Sequence, residues 1–167
     1  MHGNTLLTAA LAAVFSFATA QSVSGSAEGF GSSATGGAAG TVVEPTSTDD
    51  LVNYLTAKEA YTIVLKQTFD FTGTEGTKSE KGCAPWGTDS QCQTAISGAD
   101  DWCSREQPDA PSVDVSYDVA ATTAIDVQSD KTILGVGSAG VIKGKGLRLA
   151  NGVNNIVSHS RLLADEG

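Results

Sequence analysis

Apolar and polar positions follow one pattern at the start of the chain and different patterns further along. Residues 6–20 form a continuous apolar run that ends in small residues at Ala18 and Ala20. The run is too short to span a bilayer, and its small-x-small ending is the pattern that signal peptidase accepts. We therefore predict that residues 1–20 are a signal peptide and that the mature chain is secreted and extracellular. A buried N-terminal helix is the alternative, although such helices usually carry a polar face.

Residues 21–112 begin with a glycine-rich stretch and then contain one predicted helix and two predicted strands. The glycine-rich stretch, residues 29–40, has no hydrophobic period and indicates a loop or an extended segment. Residues 45–50 offer several side-chain oxygens that can cap free N–H groups, and apolar positions follow at helical spacing. This combination predicts a short helix of two to three turns. Apolar, β-branched or alternating residues predict strands over residues 61–65 and 68–71.

The second part of that segment, residues 72–112, has almost no apolar period and is rich in Gly, Thr, Asp and Pro. A loop of this length inside a compact domain is unusual unless it is functional or cross-linked, so we predict a disulfide-tied loop. Three cysteines allow three pairings, and each pairing leaves one thiol over. The stretch contains all of the chain's cysteines and tryptophans: Cys83, Cys92, Cys103, Trp86 and Trp102.

Residues 113–157 are a series of short predicted strands that are divided by Gly, Ser or Asn, with no helix between them. Ile133 and Leu134 recur as Ile156 and Val157 at a spacing of 23 residues. A repeat of this length is typical of the coils of a parallel β-helix, and a β-sandwich is the alternative. The predicted strands are residues 113–117, 125–127, 131–134, 141–143, 147–149 and 154–157.

The charge of the chain restricts its partners. Ten basic and nineteen acidic residues give a formal net charge of −9. Nucleic-acid binding requires clustered Lys and Arg, so we predict no nucleic-acid partner, and no second long apolar run suggests a membrane. The one basic cluster lies on a predicted strand edge, where solvated side chains are common, and an acidic sugar is its alternative role. The cluster consists of Lys143, Lys145 and Arg148.

Residues 135–140 match the pattern G-x-G-x-x-G after an apolar strand. A dinucleotide site requires a helix next, because the helix N-terminus holds the pyrophosphate, but residues 141–146 are too short and too glycine-rich. We therefore interpret these glycines as tight corners between strands. His159 has no plausible Ser or Cys partner, and the cysteine gaps of nine and eleven residues do not fit a metal-binding pair. We expect no His-based triad, no metal and no cofactor.

Several segments of unusual composition resemble, in one collinear order, the N-terminal region of fungal pectin lyases, which belong to polysaccharide lyase family 1. The resemblance implies a right-handed parallel β-helix with an N-terminal cap and one short N-terminal helix. It also implies a secreted monomer that needs no calcium. The segments that carry it are residues 24–30, 69–72, 82–88, 101–103, 108–113 and 142–148.

The activity implied by the resemblance is β-eliminative cleavage of methyl-esterified polygalacturonan, or pectin. In the family an arginine is thought to remove the C5 proton as the C4 oxygen leaves. That arginine lies in coils that this chain does not match, so we expect no catalytic residue in the chain and no activity from it alone. The alternative function is a small secreted carbohydrate-binding or effector-like protein without catalysis.

The resemblance also implies roles for residues of the predicted loop. Trp86 and Trp102 align with aromatic residues that line the family's substrate cleft, and packing beneath the disulfide-tied loop is the alternative. The family pairs the first and third cysteines, which implies a Cys83–Cys103 disulfide and leaves Cys92 unpaired.

Residues 158–167 lose both the strand alternation and the resemblance. We therefore expect them to be an aberrant tail, which an unspliced intron or a frameshift just after Val157 would produce.

Overall fold

A computed structural model describes residues 23–87 and 92–163, and most of these residues belong to strands or to the turns between them. The strands are β1 (Thr41–Val43), β2 (Tyr61–Leu65), β3 (Thr68–Asp70), β4 (Thr77–Trp86), β5 (Gln93–Ile96), β6 (Ser112–Asp118), β7 (Ile125–Asp126), β8 (Lys131–Gly135), β9 (Val141–Lys143), β10 (Leu147–Arg148), β11 (Ile156–Ser158) and β12 (Arg161–Leu163). The helices are α1 (Thr48–Thr56), α2 (Trp102–Glu106) and two short 3₁₀ segments, Gly29–Gly31 and Val119–Thr122. The predicted signal peptide lies outside the described residues.

Three parallel sheets pack around one hydrophobic core, and successive coils of the chain add neighbouring strands to these sheets. The first sheet has the order β1-β2-β8-β11, the second β12-β9-β3 and the third β10-β7. All pairs within these three sheets are parallel. The prediction of a parallel β-helix is therefore confirmed. The coils begin before residue 113, because β1, β2 and β3 are already part of the stack.

The repeat of the first sheet is 24 residues and not the 23 that the sequence suggested. Ile133 pairs with Val157, and on its other side Ile133 pairs with Ile63. A shift by one residue moves every side chain of a strand to the opposite face, so the register matters. The ladder puts the fully buried Ile63 and Ile133 in line with Val157, which is 41% exposed at the last described coil.

Helix α1 is the short helix that the sequence predicted, and it closes the N-terminal end of the stack. Its start is fixed by Ser47, whose hydroxyl oxygen accepts a hydrogen bond from the Asp50 N–H at 3.0 Å. Leu51 and Leu55 are fully buried in the same cluster as the apolar residues of the coils. The spacing of these two leucines places them on one face of the helix, which therefore serves as a lid on the core.

Lys131 is fully buried at the start of β8 and ties the end of α1 to the coils. Its Nζ donates hydrogen bonds to three backbone carbonyl oxygens, those of Ala57 at 2.9 Å, Glu59 at 2.7 Å and Ser129 at 2.8 Å. Burial lowers the pKa of the Lys131 ammonium group. All three acceptors are uncharged backbone groups, so the ammonium group is the only charged partner in these hydrogen bonds.

The prediction of a loop over residues 72–112 is wrong, because much of this segment forms an antiparallel sheet. Strands β4, β5 and β6 pair in the order β5-β4-β6, and we call residues 77–118 the wing. The residues of β4 and β6 pair continuously from Thr77–Asp118 to Cys83–Ser112. Both faces of these strands include exposed positions, so no apolar period marks them in the sequence. The strand predicted over residues 113–117 is β6, and it belongs to the wing.

The Cys83–Cys103 disulfide closes the wing, as the resemblance implied. It joins β4 to α2, a second helix that the sequence did not predict. The Cα atoms of the two cysteines are 5.9 Å apart, and Cys92 is a free, half-buried thiol. The wing is thus held by backbone pairing and one covalent bond.

The glycine-rich stretch forms a strap over the outer face of the first sheet. The Gly37 N–H donates to Thr132 Oγ1 at 2.9 Å, and the Thr35 N–H donates to Asn154 Oδ1 at 2.7 Å. A Cβ atom at Gly37 would lie 1.8 Å from the carbonyl oxygen of Tyr61. Only glycine can approach the sheet this closely at that position.

The strand pattern continues past Val157 in the described part of the tail. Strand β11 includes Ser158, and β12 pairs in parallel with β9, with Leu162 opposite Ile142. The predicted loss of strand structure directly after Val157 is therefore wrong for these residues. Strand β12 forms because its backbone pairs with the preceding coil, although all of its side chains are exposed. The origin of residues 158–167 stays a prediction.

In the described residues, no helix combines the length and the apolar character needed to cross a membrane.

We expect Lys131→Ala to lower the free energy of unfolding by about 3 kcal/mol, because it leaves buried carbonyl oxygens without a donor. Urea denaturation followed by circular dichroism measures the change. Lys81→Ala is the control, because this lysine is exposed and its loss should cost less than about 0.5 kcal/mol. Equal losses for the two variants would contradict the structural role of Lys131.

Replacing Cys83 and Cys103 together by alanine should lower the free energy of unfolding by about 3 kcal/mol, because the bond closes a loop across 20 residues. Cys92→Ala is the control and should have a much smaller effect. Thiol titration of the denatured, unreduced chain should find one reactive group, which is Cys92. Finding three thiols before reduction would show that the bond does not form.

Candidate functional site

The wing brings together the two tryptophans that the sequence singled out. Trp86 is the last residue of β4, and Trp102 is the first residue of α2. Their ring centroids are 5.9 Å apart, and the ring planes are tilted by 51°. Trp86 is 48% exposed and Trp102 is half-buried. The pair therefore presents an aromatic surface to solvent, which is the type of surface on which sugar rings stack.

Covalent and backbone interactions hold the tryptophan pair in place. The Cys83–Cys103 disulfide lies three residues before Trp86 and one residue after Trp102, so it joins the two segments directly. The Trp102 N–H also donates to the carbonyl oxygen of Ser97 at 2.9 Å. An irregularity in the pairing of β4 with β5 lies between Cys83 and Trp86. The position of the pair thus depends on the disulfide and on the end of β4.

In the same helix as Trp102, the Arg105 guanidinium is hydrogen-bonded to three oxygen atoms. Arg105 Nε donates to Glu106 Oε1 at 2.7 Å, and Nη2 donates to Asp100 Oδ2 at 3.2 Å. The third nitrogen, Nη1, donates to the backbone carbonyl oxygen of Asp100 at 3.0 Å. The hydrogen bonds to Glu106 and to Asp100 raise the pKa of Arg105. Sequence spacing gave no sign of this group, because it combines a helix residue with a loop five residues earlier.

The other two cations of the wing are also paired with carboxylates. Lys78 Nζ lies 2.5 Å from Glu80 Oε2, and Lys81 Nζ lies 2.8 Å from Asp114 Oδ1. Glu80 Oε1 also accepts a hydrogen bond from the Tyr117 hydroxyl at 3.0 Å. The hydrogen bond from Lys78 lowers the pKa of the Glu80 carboxyl, and that from Tyr117 adds to the effect. The electrostatic surface of the wing is therefore dominated by carboxylates.

A shallow groove of about 480 Å³ adjoins the end of β4. Its lining combines proline rings with two carboxylates, and it includes Pro85, Gly87, Glu106, Pro108, Asp109 and Pro111. Neither Trp86 nor Trp102 lines this groove, so it is separate from the aromatic surface of the tryptophan pair.

The basic cluster predicted at the strand edge is engaged in ion pairs between successive coils. Lys143 Nζ lies 3.5 Å from Asp70 Oδ2, and Arg148 Nε lies 3.6 Å from Asp126 Oδ1. Lys145 Nζ is paired with Glu75, and its side chain is almost fully buried. These contacts favour a structural role of the cluster over an acidic-sugar site. The expected edge position is wrong for Lys143, because β9 lies between β12 and β3, and the expected solvation is wrong for Lys145, whose side chain is almost fully buried.

The G-x-G-x-x-G segment leads from strand β8 to strand β9, and no helix follows it. The interpretation of its glycines as corners is correct for Gly137, which lies in a turn with a φ of +58°, whereas Gly135 is still the last residue of β8 and is approached closely by the next coil. A Cβ atom at Gly135 would lie 2.1 Å from the carbonyl oxygen of His159. His159 itself is exposed, and its Nδ1 lies 2.7 Å from Ser158 Oγ. The expectation that His159 has no serine partner is therefore wrong, because the preceding residue supplies one. Among the residues that the structure describes, no three His, Cys, Asp or Glu side chains form a group that could hold a metal ion.

The chain is similar to several fungal pectin lyases. It is 57% identical over 165 residues to pectin lyase A of Emericella nidulans, which covers 99% of this chain and 43% of that protein. It is 56% identical over 155 residues to the probable pectin lyase D of Aspergillus flavus, with 93% of this chain and 41% of the relative covered. The match to pectin lyase D of Aspergillus niger is 53% over 156 residues, covering 93% and 42%.

The chain thus spans less than half the length of the relatives it matches. No protein-family model matches it. The identity nevertheless extends over nearly the whole chain, with at most two of its 167 residues outside the match of 165. The expected loss of the resemblance over residues 158–167 is therefore wrong for most of them. The parallel coils are the fold that the resemblance implied. By its sequence and its fold, this chain belongs to the fungal pectin lyase family.

Proposed function

We propose that this chain is secreted and contributes the first coils and the tryptophan wing of a pectin lyase. In this role the wing binds methyl-esterified polygalacturonan and does not itself cleave the polysaccharide. The observation that carries the proposal is the tryptophan pair, held by the disulfide in a sequence 57% identical to a pectin lyase. Stacking of sugar faces on the indole rings supplies an interaction that needs no charge.

The reaction of the family provides the chemical context of the proposal. β-Elimination removes the C5 proton beside an ester carbonyl while the C4 oxygen leaves, and it needs a base at that carbon. No position of this chain matches the family's base arginine. We therefore assign this chain a role in binding the polysaccharide, with the proton transfer assigned to coils that it does not match.

A non-catalytic carbohydrate-binding protein is the second candidate, and the same tryptophan pair favours it. Both candidates predict no unsaturated uronides from this chain alone, and they differ in whether the chain contributes to forming them once it is joined to the coils that it does not match. Ultraviolet absorbance during incubation with highly methylated pectin measures this product directly. Release of unsaturated product by the chain alone would overturn our assignment of the proton transfer.

We expect Trp86→Ala to weaken binding of highly methylated polygalacturonan about fivefold, because it removes one exposed stacking surface worth about 1 kcal/mol. Affinity electrophoresis in gels that contain the polysaccharide measures the change. Phe30→Ala is the matched control, because Phe30 is a fully exposed aromatic residue outside the wing. An equal loss in both variants, or no loss with Trp86→Ala, would contradict the proposed site.

A further inference from the structure

The cation in helix α2, Arg105, already forms ion pairs with two carboxylates, which bears on whether the wing can bind a negatively charged sugar. Arg105 lies three residues after Trp102, on the neighbouring turn of the same short helix. Each of its three guanidinium nitrogens donates one hydrogen bond, which uses three of the five N–H groups, and two of the acceptors are the side chains of Asp100 and Glu106. A guanidinium with free nitrogens would be a good partner for the planar carboxylate of an unesterified galacturonate.

The rest of the wing offers no compensating positive charge. Its sequence, residues 77–118, contains eight carboxylates and three cations. Lys78 and Lys81 are held by Glu80 and Asp114, so each cation already has a carboxylate partner. A free galacturonate carboxylate that approaches the tryptophan pair therefore meets a negative surface. A methyl ester carries no charge and does not experience this repulsion.

We propose that Asp100 and Glu106 are specificity-determining residues, which occupy the Arg105 guanidinium and thereby make the wing select methyl-esterified over unesterified galacturonate. This inference rests on the proposed function, since it assumes that the sugar chain binds at the tryptophan pair. The two carboxylates act as internal competitors for the arginine. Each ion pair is exposed and weak, but both partners are tethered beside the guanidinium, so their effective concentration exceeds that of a ligand in solution.

The double variant Asp100→Asn/Glu106→Gln tests the inference in the full chain. It keeps the size of both side chains but removes the negative charges that hold Arg105. We expect it to bind polygalacturonate without ester groups about five- to tenfold more tightly than the parent chain. Binding of highly methylated polygalacturonan should change less than about twofold, because the stacking surface is unchanged. The gain should fall with added salt, as an ionic contact requires.

Two further variants separate the occupied arginine from a general effect of charge. Asp101→Asn/Asp109→Asn removes the same number of charges from the same segment but leaves the contacts of Arg105 in place. We expect this control to gain much less affinity for polygalacturonate. Adding Arg105→Gln to the double variant should abolish its gain. Equal gains in the control, or a gain that survives the loss of Arg105, would overturn the inference.

The measurements distinguish a failure of the inference from a failure of the proposed function. If the parent chain binds neither polysaccharide, the tryptophan site itself is wrong, whatever the variants do. If the parent binds both polysaccharides equally well, the site stands and the selectivity proposal is overturned. If the parent prefers the methylated form and the double variant loses that preference, both are supported.

Discussion

Parallel pairing between successive coils is the constraint on which the rest of the structure depends. The two inner strands of the first sheet, β2 and β8, each pair with a strand on both sides, so residues such as Ile63 and Ile133 are buried only because they lie in register. The outward-facing ion pairs follow the same register, since Lys143 pairs with Asp70 of the neighbouring coil. A stack of this kind has open ends, and α1 closes the first of them with Leu51 and Leu55.

The wing is free of that constraint, and this freedom explains its composition. Its strands are antiparallel and have exposed positions on both faces, so they need no apolar ladder. Stability comes instead from backbone pairing and the disulfide between Cys83 and Cys103. Side chains that would be costly inside the coils, such as Arg105 and the exposed Trp86, are tolerated here. The coils therefore form the packed core, and the wing carries the exposed aromatic and charged side chains.

The sequence predicted the elements whose buried side chains are apolar, either at helical spacing or in short runs. Helix α1 buries Leu51 and Leu55 at helical spacing, and strands β2, β8 and β9 bury consecutive residues, so the prediction of these elements was correct. The wing has no such signal. The predicted repeat was one residue too short because the sequence suggested Ile156 as the equivalent of Ile133, whereas Ile133 pairs with Val157. At the site, the resemblance identified Trp86, whereas the Arg105 contacts depend on a loop conformation that no local pattern encodes.

The glycine strap gives the folding of this chain a definite order. Thr35 and Gly37 lie near the N-terminus, but their hydrogen-bond partners Asn154 and Thr132 follow 119 and 95 residues later. During synthesis the strap emerges first and has nothing to bind until the later coils have formed. Contacts between such distant residues carry a large loop-closure cost and form late. The strap leaves the ribosome early and is therefore among the last segments to reach its final place.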